Sequence, residues 1–419
     1  DDEVVSAPSV NTPITDGNSS ITGNFTVQDG NDLAAVLEVG KLPAEINIIS
    51  ESLVGPSLGQ ANIQKSVITL ITGFLLLMVF MIYYYNGGGV VSILALLTNR
   101  FFIFGALASY GTVLTLSGIA GIILTIGMAV DANVIIYERI REELRAGKSP
   151  LNAVKEGFSN SYSAIIDANV TTILIGFILA YFGVGPIKGF AVVLIWGVIF
   201  SFITAVWVSR MIIDYWNSRG KGLVSFWRPS TQNVLSNLKV DWLALRKKGY
   251  MFSIAITVLG LISIFTRGWK LGVDFKGGYS YNIAFPENAD VSVQDLSYAL
   301  TVSFESTPIV KSIDVGNHYN ITTSYLIDDT SDDAPRRVLE KLHEGINSVM
   351  GGNLDFEEFT STGGEGTHIL SSSQVGPTMA DDILSSSWKA VLIALLCVFI
   401  YIFVRFSKWQ YSLGAVVAL

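Results

Sequence analysis

The sequence predicts a multi-pass α-helical membrane protein with α+β domains outside the membrane, built from two duplicated halves of which the second is cut short. Three observations lead to this fold class. Half of the 419 residues are hydrophobic and only 15% are charged, which is typical of a chain with several membrane spans. Seven apolar runs are long enough to cross a bilayer. A motif from the first third of the chain also recurs near its end.

The composition limits the chemistry that we expect. The single cysteine, Cys397, lies in an apolar run, so no disulfide framework is predicted. The three histidines lie in one aqueous region without the spacing of metal ligands, and they are His318, His343 and His368. We therefore predict that the chain is not an enzyme and needs no metal or cofactor.

Residues 1–64 form a first aqueous segment, which is acidic and has Lys41 as its only basic residue. Its pattern predicts a strand at Ser19–Gly23, a helix at Val27–Gly40 and a second strand that ends at Ser50. Such a unit is too small to enclose a core of its own. We therefore expect the C-terminal part of a domain whose front half lies outside this chain.

Seven apolar runs divide the rest of the chain. Five of them fall within residues 65–209, a sixth occupies 250–266, and the last part, 388–419, holds a seventh and the start of another. The five are about 67–85, 90–110, 118–138, 162–182 and 187–208. Each run has the length that a membrane helix needs.

The distribution of basic residues predicts the orientation of these spans. Residues 210–249 form a basic and aromatic linker, and 138–160 is a second loop with a basic excess. Because lysine and arginine accumulate on the cytoplasmic side of membrane proteins, we expect both segments in the cytoplasm. The acidic segments 1–64 and 267–387 then fall in the periplasm.

The second aqueous region, 267–387, has the fuller pattern of elements. Strands are predicted at 278–285, 309–315, 319–325 and 368–375, and helices at 292–304 and 332–350. The order βαββαβ is that of a ferredoxin-like α+β sandwich. Its glycine-rich turns lack the spacing of a phosphate-binding loop.

The recurring motif relates the two halves of the chain. It reads Val54-Gly55-Pro56-Ser57-Leu58 and returns 321 residues later as Val375-Gly376-Pro377-Thr378-Met379. A repeat of this length indicates a duplicated unit of one helix, an aqueous domain and a helix bundle. Both copies enter the membrane from the same side, so we expect an axis along the membrane normal. The counterpart of Asp131 would fall near position 452, beyond Leu419.

One carboxylate, Asp131, lies inside the third apolar run. A carboxylate in mid-membrane costs about 2.5–3.5 kcal/mol on insertion scales, so it is rarely found there without a use and a partner. The tetrapeptide that begins at Asp131 recurs at Asp167 in the next run, and both carboxylates fall about 10 Å inside the same membrane face. We predict that two antiparallel helices form one polar layer from Asp131, Asn133, Asp167, Asn169, Thr171 and Thr172.

Two questions about these polar residues stay open. The layer has an alternative reading, strongest for Asp167, in which its groups only make the hydrogen bonds of a packed bundle, each worth about 0.6 kcal/mol. Arg100, in the second run, either extends toward the membrane surface or pairs with an acidic group on a neighbouring helix. The partner of a charged Asp131 is then either Arg100 or the amides of Asn133 and Asn169.

Several long motifs resemble those of a known family. The resemblance to SecD lies in LSGIAGIILTIGMAVDANVIIYERIREELRAGKS, GPIKGFAV, ITGNF and VGPSLG, and the resemblance to SecF lies in GVDFKGG and VGPTMADDI. The chain is therefore similar to the fused SecDF proteins of the resistance-nodulation-division superfamily. Residues of these motifs that we expect to have structural roles are Gly55, Pro56, Gly376, Pro377, Asp274, Gly277 and Gly278.

This resemblance implies a function and a site. Fused SecDF proteins use the proton-motive force at the bacterial inner membrane to draw a translocating preprotein outward beside the SecYEG channel, with YidC- and YajC-type subunits as further partners. In that family the carboxylate at the position of Asp131 carries the proton. The implied relay consists of Asp131, Asn133, Asp167, Asn169 and Arg100. Parts of the SecD and SecF regions would lie outside this chain, so we expect the chain alone to be inactive.

Two other functions remain open at this point. An exporter of lipids or small molecules from the same superfamily would need a substrate pocket in the aqueous domains, and the modest size of those domains argues against it. A non-transporting scaffold of the translocase would keep its effect when the proton gradient is collapsed.

Overall fold

A computed structural model describes residues 50–419, apart from 112–113, 220–222, 233, 235–240, 270, 287–288, 290, 314–316, 330, 332 and 362–365, together with a few single residues before 50. Residues 50–419 belong to the second of two units, Asp1–Ile48 and Ile49–Leu419. The predicted strand and helix at 19–40 lie outside the described residues except for single positions. Only the end of the following strand is described, as the first residue of β1, Ser50–Val54.

Seven helices of the described residues are long and apolar enough to cross a membrane, as the sequence predicts. Five precede the linker and two follow it. They are α1 (Pro56–Tyr85), α2 (Gly87–Ser109), α3 (Leu116–Arg145), α4 (Pro150–Phe182), α5 (Pro186–Ile203) with its continuation, α7 (Trp242–Arg267) and α12 (Pro377–Phe406). The final helix, α13 (Trp409–Ala418), has only ten residues, too few to span.

The first five spans form a bundle in which α3 packs against α2, α4 and α5. Small residues allow the helices to approach closely. A Cβ on Gly157 of α4 would lie 2.3 Å from Ile140 Cγ1, and a Cβ on Gly197 of α5 would lie 2.4 Å from Thr125 Cγ2, both on α3. Small residues at helix crossings are typical of membrane bundles, where close packing replaces the hydrophobic effect.

The fifth span is not a regular α-helix along its whole length. After α5, a π-helical turn at Thr204–Val208 leads into α6, Ser209–Ser218. The backbone N–H of Ser209 bonds to the carbonyl of Thr204, and the Ser209 hydroxyl donates to the same carbonyl at 3.2 Å. Single π-helical turns are rare and are frequently found at functional sites. This one turns the Ser209 side chain into the bundle, where it is fully buried.

Part of the basic linker is packed onto the bundle rather than free of it. We call residues 223–232 the docked linker. The Gly88 N–H donates to the carbonyl of Ser225 at 2.9 Å, and the Phe226 ring lies 5.2 Å from the Tyr137 ring of α3. Phe226 is only 2% exposed. The docked linker therefore covers the end of the bundle where α1 meets α2 and α3 ends.

The second aqueous region contains the predicted βαββαβ order. Two short helices add to the pattern, one before the first strand and one before the last. The elements are α8 (Val273–Lys276), β2 (Gly278–Ala284), α9 (Val293–Phe304), β3 (Ile309–Ser312), β4 (His318–Thr323), α10 (Ala334–Val349), α11 (Phe356–Thr360) and β5 (His368–Val375). Residues of α9 and α10, such as Leu300 and Leu342, share one buried core with the sheet residues Ile283 and Ile321.

The five strands of the described part of the chain form a single sheet in the order β1-β5-β2-β4-β3, with antiparallel neighbours throughout. The four strands of the second region have the order expected of a ferredoxin-like fold. The fifth, β1, comes from the first aqueous segment and pairs with β5, with Ser52 opposite Ser373. The repeat offset of 321 also relates Ser52 to Ser373. Ser52 and Ser373 are thus equivalent residues that face each other, and a local two-fold axis passes between them.

The repeat continues well beyond the motif. Helix α1 begins at Pro56 and α12 begins at Pro377, and both have 30 residues. Each helix ends at a residue with positive φ, which is Asn86 at 51° and Ser407 at 54°. All these positions are 321 residues apart. The duplicated unit predicted from five residues is thus confirmed through a whole membrane helix and the turn after it.

The glycines of the GVDFKGG motif allow a close approach between the two ends of the sheet domain. Asp274 lies in α8, and Gly277 and Gly278 follow with φ values of 74° and 134°. A Cβ on Gly278 would lie 2.4 Å from the carbonyl oxygen of Thr323. One on Gly277 would lie 3.3 Å from Pro377 Cα. Glycine is therefore needed here both for the backbone angles and for the space.

The pairing of β1 with β5 predicts a specific cross-link between the halves. In a Cys397→Ser background, Ser52→Cys with Ser373→Cys should form a disulfide on mild oxidation, because directly opposite residues of an antiparallel pair bring their Cβ atoms within bonding range. A protease site inserted into the linker makes the bond visible, since the two fragments then stay together on a non-reducing gel.

The matched control is Leu53→Cys with Ser373→Cys. Leu53 is the neighbour of Ser52 in β1, and successive strand residues point to opposite faces of a sheet. This pair should remain largely unlinked. Equal yields for both pairs, or none for the first, would rule out the register described here.

Candidate functional site

Asp131 lies near the middle of α3, about 22 Å along the helix from Leu116. Its side chain is exposed and lines a small cavity of about 70 Å³ with Asn169 and Thr172 of α4. The rest of the cavity wall is mostly apolar and includes Met128, Ile135, Ile165 and Val198. No hydrogen bond or ion pair joins Asp131 to any residue that the structure describes. The carboxylate therefore has polar neighbours but no cation in this part of the chain.

Asn133 lies on the other side of α3, inside the bundle. The hydroxyl of Ser209 donates to Asn133 Oδ1 at 3.0 Å, and both side chains are buried. One turn further along α3, the hydroxyl of Tyr137 accepts a hydrogen bond from Ser92 of α2 at 3.1 Å. These four residues form a buried polar chain that ends beneath Phe226 of the docked linker.

Asp167 points away from Asp131, toward α12. Its Oδ1 atom accepts a hydrogen bond from the Tyr401 hydroxyl at 2.7 Å and another from Arg405 Nε at 2.8 Å. Arg405 Nη2 also donates to the hydroxyl of Ser163, one turn before Asp167 on α4. Asp167 is thus held by an ion pair between the first half of the chain and the second.

The other polar residues of α4 bond mainly within their own helix. Asn169 Nδ2 donates to the carbonyl of Ile165 at 2.7 Å. The hydroxyls of Thr171 and Thr172 both donate to the carbonyl of Ala168 at 2.9 Å. Such bonds satisfy a polar group without a partner helix. Asn169 and Thr172 nevertheless remain part of the cavity wall at Asp131.

The prediction of one polar layer therefore holds for Asp131, Asn169 and Thr172, which line one cavity, and is wrong for Asn133 and Asp167. The predicted residues occupy three places, which are the cavity at Asp131, the buried chain at Asn133 and the ion pair at Asp167. The reason is the helix rotation of about 100° per residue, which puts residues two apart on nearly opposite faces. Counting residues along each helix predicts equal depth for the two acids, but equal depth alone does not bring side chains together.

Arg100 does not fit either interpretation that the sequence left open. It is only 9% exposed, and its Nη1 donates to the carbonyl of Ile122 at 3.2 Å and to the hydroxyl of Thr125 at 3.0 Å, both on α3. The guanidinium therefore lies inside the bundle instead of extending to the surface. Its Nε and Nη2 have no hydrogen-bond partner among the described residues. Neither contact is an acid, so a pairing with Asp131 is not observed.

A cluster of charges fixes the loop between α3 and α4 next to these sites. Glu143, which is buried, accepts contacts from Lys148 Nζ at 2.6 Å and from Arg139 Nη2 at 2.9 Å. Hydrogen bonds to Glu143 and Glu156 raise the pKa of Lys148. Lys148 therefore stays charged at neutral pH, where it is paired with Glu143.

Sequence reasoning missed Ser209, Tyr137 and Arg405. Tyr137 could have been found, because Asn133, Tyr137 and Arg141 recur at the spacing of one helix face. Arg405 gives no such signal, since a basic residue at the end of a span is common. The inward direction of the Ser209 side chain depends on the π-helical turn, which no local sequence pattern predicts. Within the described residues, no three His, Cys, Asp or Glu side chains are placed to hold a metal ion.

Two profiles of known protein families match most of the chain. The profile described as "Protein export membrane protein SecD/SecF, C-terminal" matches residues 36–219 and 356–419, more than half of the chain. A second profile, "SecDF, P1 head subdomain", matches residues 1–44. Two curated relatives are the protein translocase subunits SecD of Calditerrivibrio nitroreducens and Rhodothermus marinus. They are 48% and 50% identical over 212 and 225 residues, which are 51% and 54% of this chain and 41% and 36% of those proteins.

Solved structures resemble the chain over nearly its whole length. The crystal structure of SecDF from Thermus thermophilus, a translocon-associated membrane protein, matches with a TM-score of 0.76 at 29% identity and covers 98% of this chain. SecDF in a "Super-membrane-facing form" matches with a TM-score of 0.61 at 28% identity, over 95% of this chain. The chain spans about half of each solved protein, 53% and 51% respectively.

Proposed function

This chain belongs to the family of SecD/SecF protein-export membrane proteins, and from that premise we propose that it acts as part of an accessory subunit of the Sec protein translocase. The family places it in the bacterial inner membrane as a multi-pass protein, in agreement with the seven apolar helices found among the described residues. In this proposal the proton-motive force promotes export of a preprotein that emerges from the SecYEG channel. YidC- and YajC-type subunits are its further partners.

The observation that supports proton coupling is the unpaired state of Asp131. Of the two acids at this membrane depth, Asp167 accepts hydrogen bonds from a guanidinium, whereas Asp131 contacts no cation among the described residues. A charged carboxylate without a partner is unfavourable in the membrane. Binding a proton removes that charge. A proton moving down a potential of 100 mV supplies about 2.3 kcal/mol, comparable to the cost of the charge.

The geometry gives this proton a structural effect. The cavity at Asp131 lies between α3 and α4, and Asn169 and Thr172 form its polar wall on α4. When Asp131 is charged, the cavity must supply water or hydrogen-bond donors. When it is protonated, the two helices can close on it. Two arrangements of similar energy are what a proton needs in order to act as a switch.

The test replaces Asp131 with asparagine in the full-length protein. Asparagine keeps the size and polarity of the side chain but cannot titrate, so export driven by ATP and the motor alone should be unchanged. The increment that depends on the proton gradient should be lost. Preprotein uptake into inverted membrane vesicles, measured with and without an uncoupler, separates the two contributions.

The matched control is Asp381→Asn, which removes an exposed acid in the first turns of α12. Asp381 is not among the residues that line the cavity at Asp131. This variant should keep the gradient-dependent increment. If Asp131→Asn also keeps it, proton coupling through this residue is excluded. If the unsubstituted protein has no such increment, the subunit is a scaffold of the translocase.

A further inference from the structure

Helix α12 connects the sheet directly to the membrane bundle. It begins at Pro377, two residues after the last residue of β5, and runs without interruption to Phe406. Proline at the first helical position fixes the backbone where the strand ends. Thirty residues of α-helix form a rod of about 45 Å. A displacement at one end of α12 must therefore appear at the other.

The far end of this rod is fastened to α4. Tyr401 and Arg405 are four residues apart and face α4 together, as Ser163 and Asp167 face α12. Three polar contacts join the two pairs, two to Asp167 and one to Ser163. Against the first-half bundle, α12 packs mainly on α4. The ion pair is therefore the main polar link between the membrane helices of the two halves in the described chain.

Helix α4 touches both the rod and the candidate proton site. Asn169 and Thr172 face the cavity at Asp131, and Asp167 faces Arg405. Asp167 and Asn169 are separated by about 200° around the helix axis. A shift of α4 toward or away from Asp131 is consequently transmitted to the end of α12.

The ion pair is not a feature of the repeat. The residues of α1 that correspond to Tyr401 and Arg405 at the offset of 321 are Phe80 and Tyr84. Tyr84 instead lies beneath the guanidinium of Arg141, 4.8 Å from the ring centre to the carbon. The duplicated helices thus have different contacts at the same position, and the fastening to α4 belongs to α12 alone in the described chain.

We infer that Arg405 is a positioning residue of the transport step, which couples α4 to α12 through Asp167 and so passes the movement at Asp131 to strand β5. Asp167 acts here as a fixed anion and not as a proton carrier. The inference rests on the proposed function, because it assigns the path by which protonation reaches the periplasmic sheet. It also explains why an arginine is present at a position where the other half has tyrosine.

The experiment uses Arg405→Gln and the exchanged pair Asp167→Arg with Arg405→Asp in the full-length protein. Arg405→Gln should keep proton uptake, measured with a pH-sensitive dye in proteoliposomes. Its gradient-dependent export should fall about tenfold, which is a typical size for coupling between two sites. The exchanged pair should recover most of that loss. Arg267→Gln, at the exposed end of α7, is the matched control and should behave as the unsubstituted protein.

A second measurement tests the contact apart from transport. Thermal unfolding in detergent of Asp167→Asn, Arg405→Gln and the double variant should give non-additive effects, because the second substitution removes a bond that is already lost. Additive effects would overturn the inference, and so would normal gradient-dependent export by Arg405→Gln. If the unsubstituted protein shows no gradient dependence, the proposed function fails and the coupling role fails with it. If export by the unsubstituted protein depends on the gradient and Arg405→Gln shows the same dependence, only the coupling role of Arg405 is excluded.

Discussion

Replacing Gly89 with alanine will destabilise the membrane bundle by about 3 kcal/mol, because the added methyl group has no space. Its Cβ would lie 2.1 Å from the carbonyl oxygen of Met81 and 2.9 Å from the Cα of Ile82. Both are backbone atoms of α1, so no side-chain rotation can relieve the clash. The helices would have to separate where Met81 is fully buried.

The close contact follows from the turn between α1 and α2. A single residue, Asn86, separates the two helices, and it has a positive φ of 51°. The first turn of α2 therefore lies directly against the last turns of α1. Three consecutive glycines, Gly87 to Gly89, fill this position. Such a short connection requires that the first turn of one helix consist of glycines, which have no side chains.

The control is Gly105→Ala in the same helix, where an added Cβ meets no atom within 4 Å. Alanine is favoured over glycine in a helix by up to about 1 kcal/mol, so this variant should be as stable as the unsubstituted protein or more stable. Unfolding in mixed detergent micelles, followed by circular dichroism, measures both. Equal stabilities for the two variants would contradict the described contact.

Replacing Arg141 with methionine will release the docked linker from the bundle. Arg141 is fully buried, and it donates to Glu138 Oε1 at 2.7 Å and to the carbonyl of Thr231 at 2.5 Å. Methionine preserves the apolar stem but removes the donor to the Thr231 carbonyl, and it leaves Glu138 Oε1 with the Tyr85 hydroxyl at 3.1 Å as its donor. Removing one partner of a fully buried ion pair costs about 3–5 kcal/mol of stability. Because Glu138 is partly exposed, we expect the free energy of unfolding to fall by about 2 kcal/mol.

Limited proteolysis gives the most direct readout of this release. Phe226 of the docked linker is 2% exposed, and chymotrypsin should cleave after it readily only in Arg141→Met. Arg139→Met is the control, since Arg139 is half-exposed and makes its ion pairs within or beside its own helix end. Unchanged cleavage after Phe226 in Arg141→Met would show that the docked linker is held by its apolar side chains instead.

The membrane helices and the sheet order of the second aqueous region could be predicted from the sequence, because both depend on local patterns. Length and hydropathy define each span, and alternation defines each strand. The pairing of β1 with β5 could not be predicted in this way. It joins residues more than 300 positions apart, and the repeated motif next to both strands indicates a duplication without saying that the copies touch.

The candidate site was predicted in part, for a related reason. The positions of Asp131 and Asp167 along their helices follow from counting residues. Their directions depend on helix rotation and on neighbours such as Arg405, which lies 238 residues from Asp167. The docked linker was missed because Val224 and Phe226 are two buried apolar residues in a stretch otherwise read as basic.

The strand pair at the local two-fold axis has a mechanical consequence. β1 and β5 are antiparallel, and each continues at its C-terminal end into a membrane helix, so these exits lie at opposite ends of the pair. Tension that draws α1 and α12 apart along the strands therefore stretches every ladder bond at once, because those bonds run perpendicular to the strands. A pair loaded in shear resists as a unit, whereas a pair peeled from one end fails bond by bond. The pairing of β1 with β5 is thus strongest against the direction in which the two membrane helices can pull on it.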